Sequence, residues 1–267
     1  MKSILKKPLG HTIWFKIFLT ILVFLPSYTQ IAYAPSKTTD VITEVMAHPL
    51  IAYFSWILPI AKVLFLVAVV LPLISARFVQ RFLLGYYALI LLIIGLMQNM
   101  SFTVDYGFTW LIGNTLVQFV VVGFCLTDVL KKKTIISKQN FVKGRLWIVA
   151  LMLLAFLMPY SVNSAEVVHP SFTLRVLFNE SGVTYCMITP VIIGVLLLFS
   201  KGVHKPILSI ISYVGFIFGL LNIMTWFVMQ TENWWIGVLH LPLVFLSFYG
   251  LLVAHKEMRT PNINITI

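Results

Sequence analysis

The sequence predicts an all-α polytopic membrane protein with eight transmembrane helices, arranged as two parallel four-helix repeats. Hydrophobic residues make up 60% of the chain and charged residues only 10%, with a mean hydropathy of +0.99. This composition excludes a water-soluble core. An internal repeat is the second observation, since residues 81–133 and 205–257 align without a gap at an offset of 124, with 13 of 53 pairs identical. The third is a strong asymmetry of basic residues between the two predicted faces of the membrane.

Eight apolar runs are long enough to be membrane helices. They lie at residues 13–33, 50–75, 82–101, 108–130, 146–162, 183–200, 206–229 and 234–254. The first run follows Lys2, Lys6 and Lys7 and ends in Ala32-Tyr33-Ala34-Pro35, a pattern shared with cleavable secretory signals. We interpret this run as a retained helix, because it is long enough to span and its counterpart at 146–162 cannot be a signal.

The repeat divides the chain into a first four-helix membrane module, residues 1–133, and a second, residues 134–267. An even number of spans in each module makes the repeats parallel, related by a pseudo-twofold axis along the membrane normal. Identical residues recur on one face of the fourth and eighth spans: Trp110, Gly113, Val120 and Phe124 in the first copy, and Trp234, Gly237, Val244 and Phe248 in the second. We expect the modules to pack through this face, with Gly113 and Gly237 at close helix contacts.

The basic residues predict that both termini are cytoplasmic. In this orientation sixteen Lys and Arg residues lie inside and only Lys37 and Arg175 outside, as the positive-inside rule requires. The net charge of +11 therefore reflects membrane topology, and we expect no nucleic-acid partner. The expected location is a cytoplasmic membrane, which is the inner membrane if the source is bacterial. The basic connector at 131–145 is expected to rest on the anionic headgroups of the lipid bilayer.

Both long external loops are expected to contain a short interfacial helix. In the first loop the helix starts near Asp40, which would cap it, and carries apolar residues from Val41 to Met46. The second loop, residues 163–181, carries Phe172, Leu174, Val176 and Leu177. Each loop also contains a His-Pro pair. His48 and His169, brought together by the pseudo-twofold axis, are the candidate metal or quinone site outside the spans.

Polar and ionisable residues within the spans are the candidate ligand-binding residues, because burying them in hydrocarbon is costly. Lys62 could snorkel towards water or meet a substrate or a carboxylate. His240 could hydrogen-bond a neighbouring helix or bind a metal. Asn114 and Gln118 lie one turn apart and could form interhelical hydrogen bonds or line a polar pocket. Gln98 and Asn99 mark the outer end of a helix, where we expect them to face water.

Trp110 and Trp234 complete the set of candidate ligand-binding residues. Both lie at the outer ends of spans, as members of an interfacial aromatic belt do. Each is followed three residues later by Gly, which lets a helix or a flat ligand approach closely. All these candidates fall in the external half of the bundle. We expect the cytoplasmic half to be almost purely apolar.

Catalysis is not the favoured interpretation. The chain contains no phosphate-binding loop, no HExxH, no Cys-x-x-Cys and no nucleophile elbow. His240 is the one histidine well inside a predicted span, so the paired histidines that hold haem b are missing. Cys125 and Cys186 lie far apart in apolar runs and are expected to behave as small hydrophobic residues.

The layout of each copy resembles the DoxX and MauE group of four-helix membrane proteins. Each copy has a helix, an external loop with a short interfacial helix, a second helix followed in the first copy by the basic turn 73–77, and then two further helices. The resemblance is one of layout over both halves of the chain. The Phe-x-x-x-Gly motif that is typical of the first helix in this group is absent from Leu22 to Tyr28. In the second helix, one copy has Lys62 and the other copy has Thr184. No functional residue is carried over.

Some members of that group are small subunits of quinone-linked oxidoreductases or accessories of redox maturation, so the resemblance implies quinone as a possible ligand. We therefore expect a non-catalytic membrane subunit or accessory of a redox or envelope system. It would bind a membrane or extracytoplasmic protein, or a quinone-like lipid, at its external face. The alternative is a small-solute or lipid transporter with a pathway between the repeats.

Overall fold

The computed structural model describes residues 8–74, 81–162, 168–173, 176 and 179–259, and this part of the chain is almost entirely helical. Its α-helices are α1 (Ile13–Val23), α2 (Thr38–Ala47), α3 (Leu58–Val70), α4 (Phe82–Met97), α5 (Ile112–Lys131), α6 (Ile148–Leu157), α7 (Tyr185–Leu198), α8 (Lys205–Met224) and α9 (Trp234–Arg259). Each of the eight predicted apolar runs contains one of these helices. Arg77, Arg175, Leu174 and Leu177 lie outside the described residues.

Four helical segments are long and apolar enough to cross a membrane: Pro35–Val70, Ile112–Lys131, Lys205–Met229 and Thr231–Lys256. The first consists of α2, a 3₁₀ helix at Leu50–Ile57 and α3. Four further apolar helices, α1, α4, α6 and α7, have between 10 and 17 residues. The prediction of an all-α membrane protein is confirmed at this level.

Helices α1 and α6 are too short to cross hydrocarbon alone. At about 1.5 Å per residue, their 11 and 10 residues cover roughly half of a 30 Å apolar layer. Helix α6 ends at Met158, whose φ of 47° is left-handed, directly before Pro159. In both cases a short strand follows, β1 (Tyr28–Thr29) after α1 and β4 (Tyr160–Val162) after α6.

Small β-sheets cover one end of the bundle, which we call the hairpin end. Strands β2 (Met100–Thr103) and β3 (Gly107–Trp110) form the turn between α4 and α5, and β1 adds to β3 with Tyr28 opposite Trp110. Strand β4 pairs with β5 (Val168–Pro170). We call the opposite end, where α5 ends and α8 begins, the connector end. The hairpin end is the predicted external side, and its β-strands were not predicted.

The short helix predicted in the first loop is present as α2, but its predicted cap is wrong; its interfacial position stays a prediction. Helix α2 starts at Thr38, and its N-cap residue Lys37 makes no side-chain capping bond. Asp40 instead lies in the first turn, where its carboxylate is 2.9 Å from the Lys37 ammonium. Both side chains of that ion pair are exposed. Val41 and Val45 are fully buried, so the amphipathic pattern was interpreted correctly.

Helix α7 occupies the centre of the bundle, and α1 and α3 lie at its edge. From Met187 to Leu198 every residue of α7 is buried. By contrast, α1 exposes 78% of Trp14 and 60% of Ile21, and α3 exposes 61% of Val63. Such apolar surfaces are costly in water and suit contact with lipid.

The two repeated glycines of this face contact elements of their own halves, so the module interface predicted at Gly113 and Gly237 is wrong. A Cβ added at Gly113 would lie 2.3 Å from the carbonyl oxygen of Leu22 in α1, and one added at Gly237 would lie 2.5 Å from the ring of Phe227. The Phe124 ring lies 5.7 Å from that of Phe15 in α1. The predicted close contacts at both glycines are confirmed, but each forms with an element of its own half.

Candidate functional site

The ammonium of Lys62 joins the two halves of the chain. Lys62 lies on α3 and is 2% exposed. Its Nζ donates to the Asn179 Oδ1 at 2.8 Å, to the Leu157 carbonyl at 3.4 Å and to the Val176 carbonyl. An ammonium has three donors, so all three are used. The cation also lies 5.1 Å from the centre of the Phe156 ring.

Asn179 completes this lysine site from the other side. Its Nδ2 donates to the carbonyls of Leu157 and Met158 at 2.9 and 2.8 Å, and its Oδ1 also accepts from the Ser181 amide. Both carbonyls lie where α6 ends and have no donor within the helix; the Met158 carbonyl also accepts from the Tyr160 amide at 2.8 Å. The site therefore caps the broken end of α6.

Snorkelling and a carboxylate partner are both wrong interpretations of Lys62, whereas a substrate contact stays a prediction. The side chain is buried and does not snorkel, and its acceptors are carbonyl and amide oxygens with no carboxylate among the described residues. The carboxyl of Glu180 lies one residue beyond Asn179, and burial raises its pKa. Asn179 is the first residue of an Asn-Glu-Ser glycosylation sequon. This motif gives no indication of its role as the lysine's partner.

A closed polar network connects α4 and α5 near the hairpin end. Asn99 Nδ2 donates to the Gln118 Oε1 at 2.9 Å, and the Trp110 Nε1 donates to the Thr115 hydroxyl at 2.9 Å. That hydroxyl in turn donates to the Gly95 carbonyl at 2.8 Å. Gln118 is therefore an interhelical hydrogen-bonding residue, whereas Trp110 connects the end of β3 to Thr115 of α5. Sequence analysis missed Thr115 and placed Asn99 in water, although Asn99 is only 2% exposed.

The remaining polar candidates on α4 and α5 do not gather at one site. Gln98 does not face water alone, because its Oε1 accepts from the Tyr185 amide of α7 at 3.1 Å. Asn114, one turn from Gln118, is half-buried and stands apart from the network. The expected pocket between Asn114 and Gln118 is therefore not formed.

His240 is buried in α9 beside Trp226. Its Nδ1 lies 2.9 Å from the Ile236 carbonyl of the preceding turn, which holds the ring with Nδ1 as donor when the imidazole is neutral. The Trp226 ring stacks at 6.3 Å, and its buried Nε1 has no hydrogen-bond partner. Trp226 lies in a π-helical turn, Thr225–Met229, that follows α8. Trp234, by contrast, is 57% exposed and suits an interfacial belt.

The two external histidines lie among elements of their own halves. His48 is exposed at the end of α2, where its carbonyl accepts from the Ser101 hydroxyl of β2. His169 is exposed in β5, opposite Ser161. Within the described ranges no three His, Cys, Asp or Glu residues form a group that could hold a metal ion.

Sequence reasoning missed a polar cluster at the connector end entirely. The Asp128 side chain on α5 is 3% exposed and its Oδ2 lies 3.1 Å from the His204 Nδ1. Its Oδ1 accepts from the Thr134 amide at 3.1 Å, and the His204 amide donates to the Thr134 hydroxyl. This cluster, which we call the clasp, joins the end of α5 to the start of α8. The expectation that the cytoplasmic half is almost purely apolar is therefore wrong.

His11 lies near this clasp and is a further residue that sequence reasoning missed. Its Nε2 is buried without a partner. Burial, with the positive charges of Lys16, His204 and His255 nearby, lowers the pKa of His11 to about 4. The imidazole is therefore neutral at pH 7.

The chain matches no known protein family model, no curated protein and no solved structure.

Proposed function

We propose that this chain is a non-catalytic integral membrane subunit or accessory whose partner surface is the hairpin end. The observation that carries the proposal is an exposed, anchored apolar tip. Val104, at the turn between β2 and β3, is 93% exposed and Phe102 is 62% exposed. The Val104 amide donates to the Glu44 carboxylate of α2 at 3.0 Å, which fixes the tip in place.

Other apolar residues at this end extend the surface. Phe172 is 85% exposed, and Tyr53 and Trp56 of the 3₁₀ helix before α3 are 69% and 67% exposed. Large aromatic residues on ordered backbone are the common anchors of protein interfaces. The polar residues of the spans are mainly bonded to each other, which supports a scaffold over an enzyme. The layout shared with the DoxX and MauE group supports a redox or envelope system, with quinone as a further ligand.

Site-specific photocrosslinking in the native membrane tests this proposal. A photoreactive residue at Val104 or at Phe172 should give a protein adduct of defined mass. The matched control is Leu126, which is 45% exposed on the apolar surface of α5 and should give lipid adducts alone. Absence of protein adducts from both Val104 and Phe172 would contradict the proposal.

Transport of a small solute is the second candidate function, and one observation favours it. Polar groups follow one another through the depth of the bundle between the two halves. They run from the Asp128 and His204 pair at the connector end, through the Tyr87 and Thr189 hydroxyls, 3.0 Å apart, to Gln98 and the Tyr185 amide. The buried Tyr185 hydroxyl lies beside the Tyr87 and Thr189 hydroxyls.

Stopped-flow flux of small polar solutes into proteoliposomes tests the transport candidate. Flux above that of empty vesicles, reduced by Thr189→Val, would favour transport. Flux equal to that of empty vesicles for every solute would leave the scaffold proposal in place.

A further inference from the structure

A cavity of about 210 Å³ lies at the connector end, between the start of the described chain, the end of α5 and the start of α8. Its apolar walls are formed by Leu9, Phe124 and Ile207, together with Pro8, Gly10 and Pro206. Thr127, Asp128, Lys133 and His204 complete the lining. Leu9 is 57% exposed and Ile207 is 1% exposed, so the cavity runs from the surface to the core.

The polar residues of this lining do not offer free binding atoms in its interior. Both carboxylate oxygens of Asp128 are occupied, one by the Thr134 amide and the other by the His204 ring. The Thr127 hydroxyl donates to the Gly123 carbonyl at 2.7 Å. A polar or cationic ligand would have to share oxygens that are already hydrogen-bonded, whereas a hydrocarbon chain needs no such partner.

The rim of the cavity has the opposite character. Lys133 lines it, is exposed, and follows the exposed Lys131 and Lys132. Lysine packs its methylene stem along apolar walls and keeps its ammonium in water. A hydrocarbon-lined cavity with ammonium groups at its mouth is complementary to a ligand with an apolar tail and an anionic head.

We propose that this cavity holds one acyl chain of an anionic phospholipid whose phosphate lies on Lys133 and its neighbouring lysines. The position fits, since the connector end carries the basic connector and is the end expected at the anionic headgroups. A chain bound there contacts Leu9 from the start of the molecule, Phe124 of α5 and Ile207 of α8. The lipid would thereby join the two halves beside the Asp128 and His204 clasp. This site is separate from the partner surface at the hairpin end.

Native mass spectrometry of the full-length protein tests the proposal. The purified protein is stripped of lipid and then titrated with phosphatidylglycerol or with phosphatidylcholine of the same acyl chains. We expect a one-to-one adduct that is at least about tenfold more abundant with phosphatidylglycerol, a preference equivalent to about 1.4 kcal/mol.

Two pairs of variants separate the tail from the head. Thr127→Phe fills the cavity and should reduce the adduct at least several-fold, whereas Leu126→Phe, on the neighbouring position outside the cavity, should not. Leu9→Trp provides a second way of filling the cavity if Thr127→Phe folds poorly. Lys133→Gln should keep the adduct but lose the preference for phosphatidylglycerol, whereas Lys138→Gln, on an exposed lysine outside the cavity lining, should keep both.

An adduct that persists in both cavity-filling variants would overturn the proposal, as would equal binding of the two lipids by the unaltered protein. Neither result would bear on crosslinking from Val104. Failure of the lipid site and failure of the partner surface are therefore distinguishable.

Discussion

A buried lysine in an apolar bundle is stable only when its donors are occupied, and Lys62 meets this condition without a carboxylate. Its three partners are carbonyl and amide oxygens, and the Leu157 carbonyl, which belongs to the last turn of α6 and has no intrahelical donor, accepts from both Lys62 and Asn179. The cation and the broken helix end therefore compensate each other. Neither would be favourable alone.

We predict that Lys62→Met lowers the stability of the protein. The substitution removes the lysine's donors from all three acceptors; the Leu157 carbonyl keeps the Asn179 amide group and the Asn179 Oδ1 keeps the Ser181 amide, so the loss falls on the Val176 carbonyl, at a cost of about 1–3 kcal/mol. The melting temperature in detergent measures this, with Lys37→Met on the exposed surface as the control. Asn179→Leu should be similarly destabilising, and the double variant should lose less than the sum of the two. Strict additivity would contradict a shared site.

His11 predicts a loss of stability at low pH. Its folded pKa of about 4 lies below the ordinary value of 6.5, so between these values the unfolded chain binds a proton that the folded protein does not. This contribution to stability is present above pH 6.5 and decreases as the pH falls towards 4.

Melting temperatures at pH 7.5 and pH 5 measure this effect. We expect His11→Phe to melt with a smaller difference between the two pH values than the unaltered protein. His48→Gln, on an exposed histidine, should leave the difference unchanged. An unchanged difference in His11→Phe would show that other groups dominate the acid response.

At the scale of elements, the short helix α1 is held by contacts along its length. Its Thr20 hydroxyl lies 2.7 Å from the Tyr213 hydroxyl of α8, Leu19 is fully buried, and Gly113 approaches the carbonyls at its end. These contacts support the interpretation of the first apolar run as a retained helix. Intact mass of the mature protein decides this, and a chain that begins at Pro35 would contradict it.

We predict that Gly113→Ala is destabilising and Gly123→Ala is tolerated. A Cβ at Gly113 would overlap the backbone of α1, whereas one at Gly123 meets nothing within 4 Å. Overpacking against backbone costs about 1–3 kcal/mol, and Ala in place of an exposed helix Gly can add up to about 1 kcal/mol of stability. The melting temperatures of the Gly113→Ala and Gly123→Ala variants in detergent test this prediction.

Gly237→Ala should lie between these two variants, because its neighbour is the side chain of Phe227, which can move. Equal melting of the Gly113 and Gly123 variants would contradict the close approach of α1 and α5. Because α1 also packs on α8, Gly113→Ala should loosen α1 together with its Thr20 contact to Tyr213.

At the scale of the whole molecule, the two halves carry the same order of apolar helices but different surroundings. Helix α3 exposes much of its surface, whereas its counterpart α7 is buried throughout. A β-hairpin joins α4 to α5, whereas a π-helical turn and a 3₁₀ helix at Thr231–Asn233 join α8 to α9. The tandem repeat of parallel modules remains a prediction from the aligned residues.

We predict that both termini and the connector are cytoplasmic and that the hairpin end is external. In a Cys125→Ala, Cys186→Ala background, Val104→Cys should react with an impermeant maleimide in intact cells. Gln139→Cys, on the exposed connector, should react only after lysis. The same holds for a cysteine at residue 262. Labelling of Gln139→Cys in intact cells would remove the eight-span topology.

The sequence alone predicted the class of the protein, the apolar run in which each helix lies and the close approach at Gly113 and Gly237, but not the short lengths of α1 and α6. These predicted features depend on local composition and spacing, because the burial of apolar residues follows directly from where they lie in the sequence. The hydrogen-bond partners of the buried polar residues, in contrast, are visible only in the folded molecule. Lys62 with Asn179, Asn99 with Gln118, and Asp128 with His204 are separated by 117, 19 and 76 positions. Each pair forms because a buried polar group must find a donor or acceptor wherever packing brings one, and no sequence period records which neighbour that is.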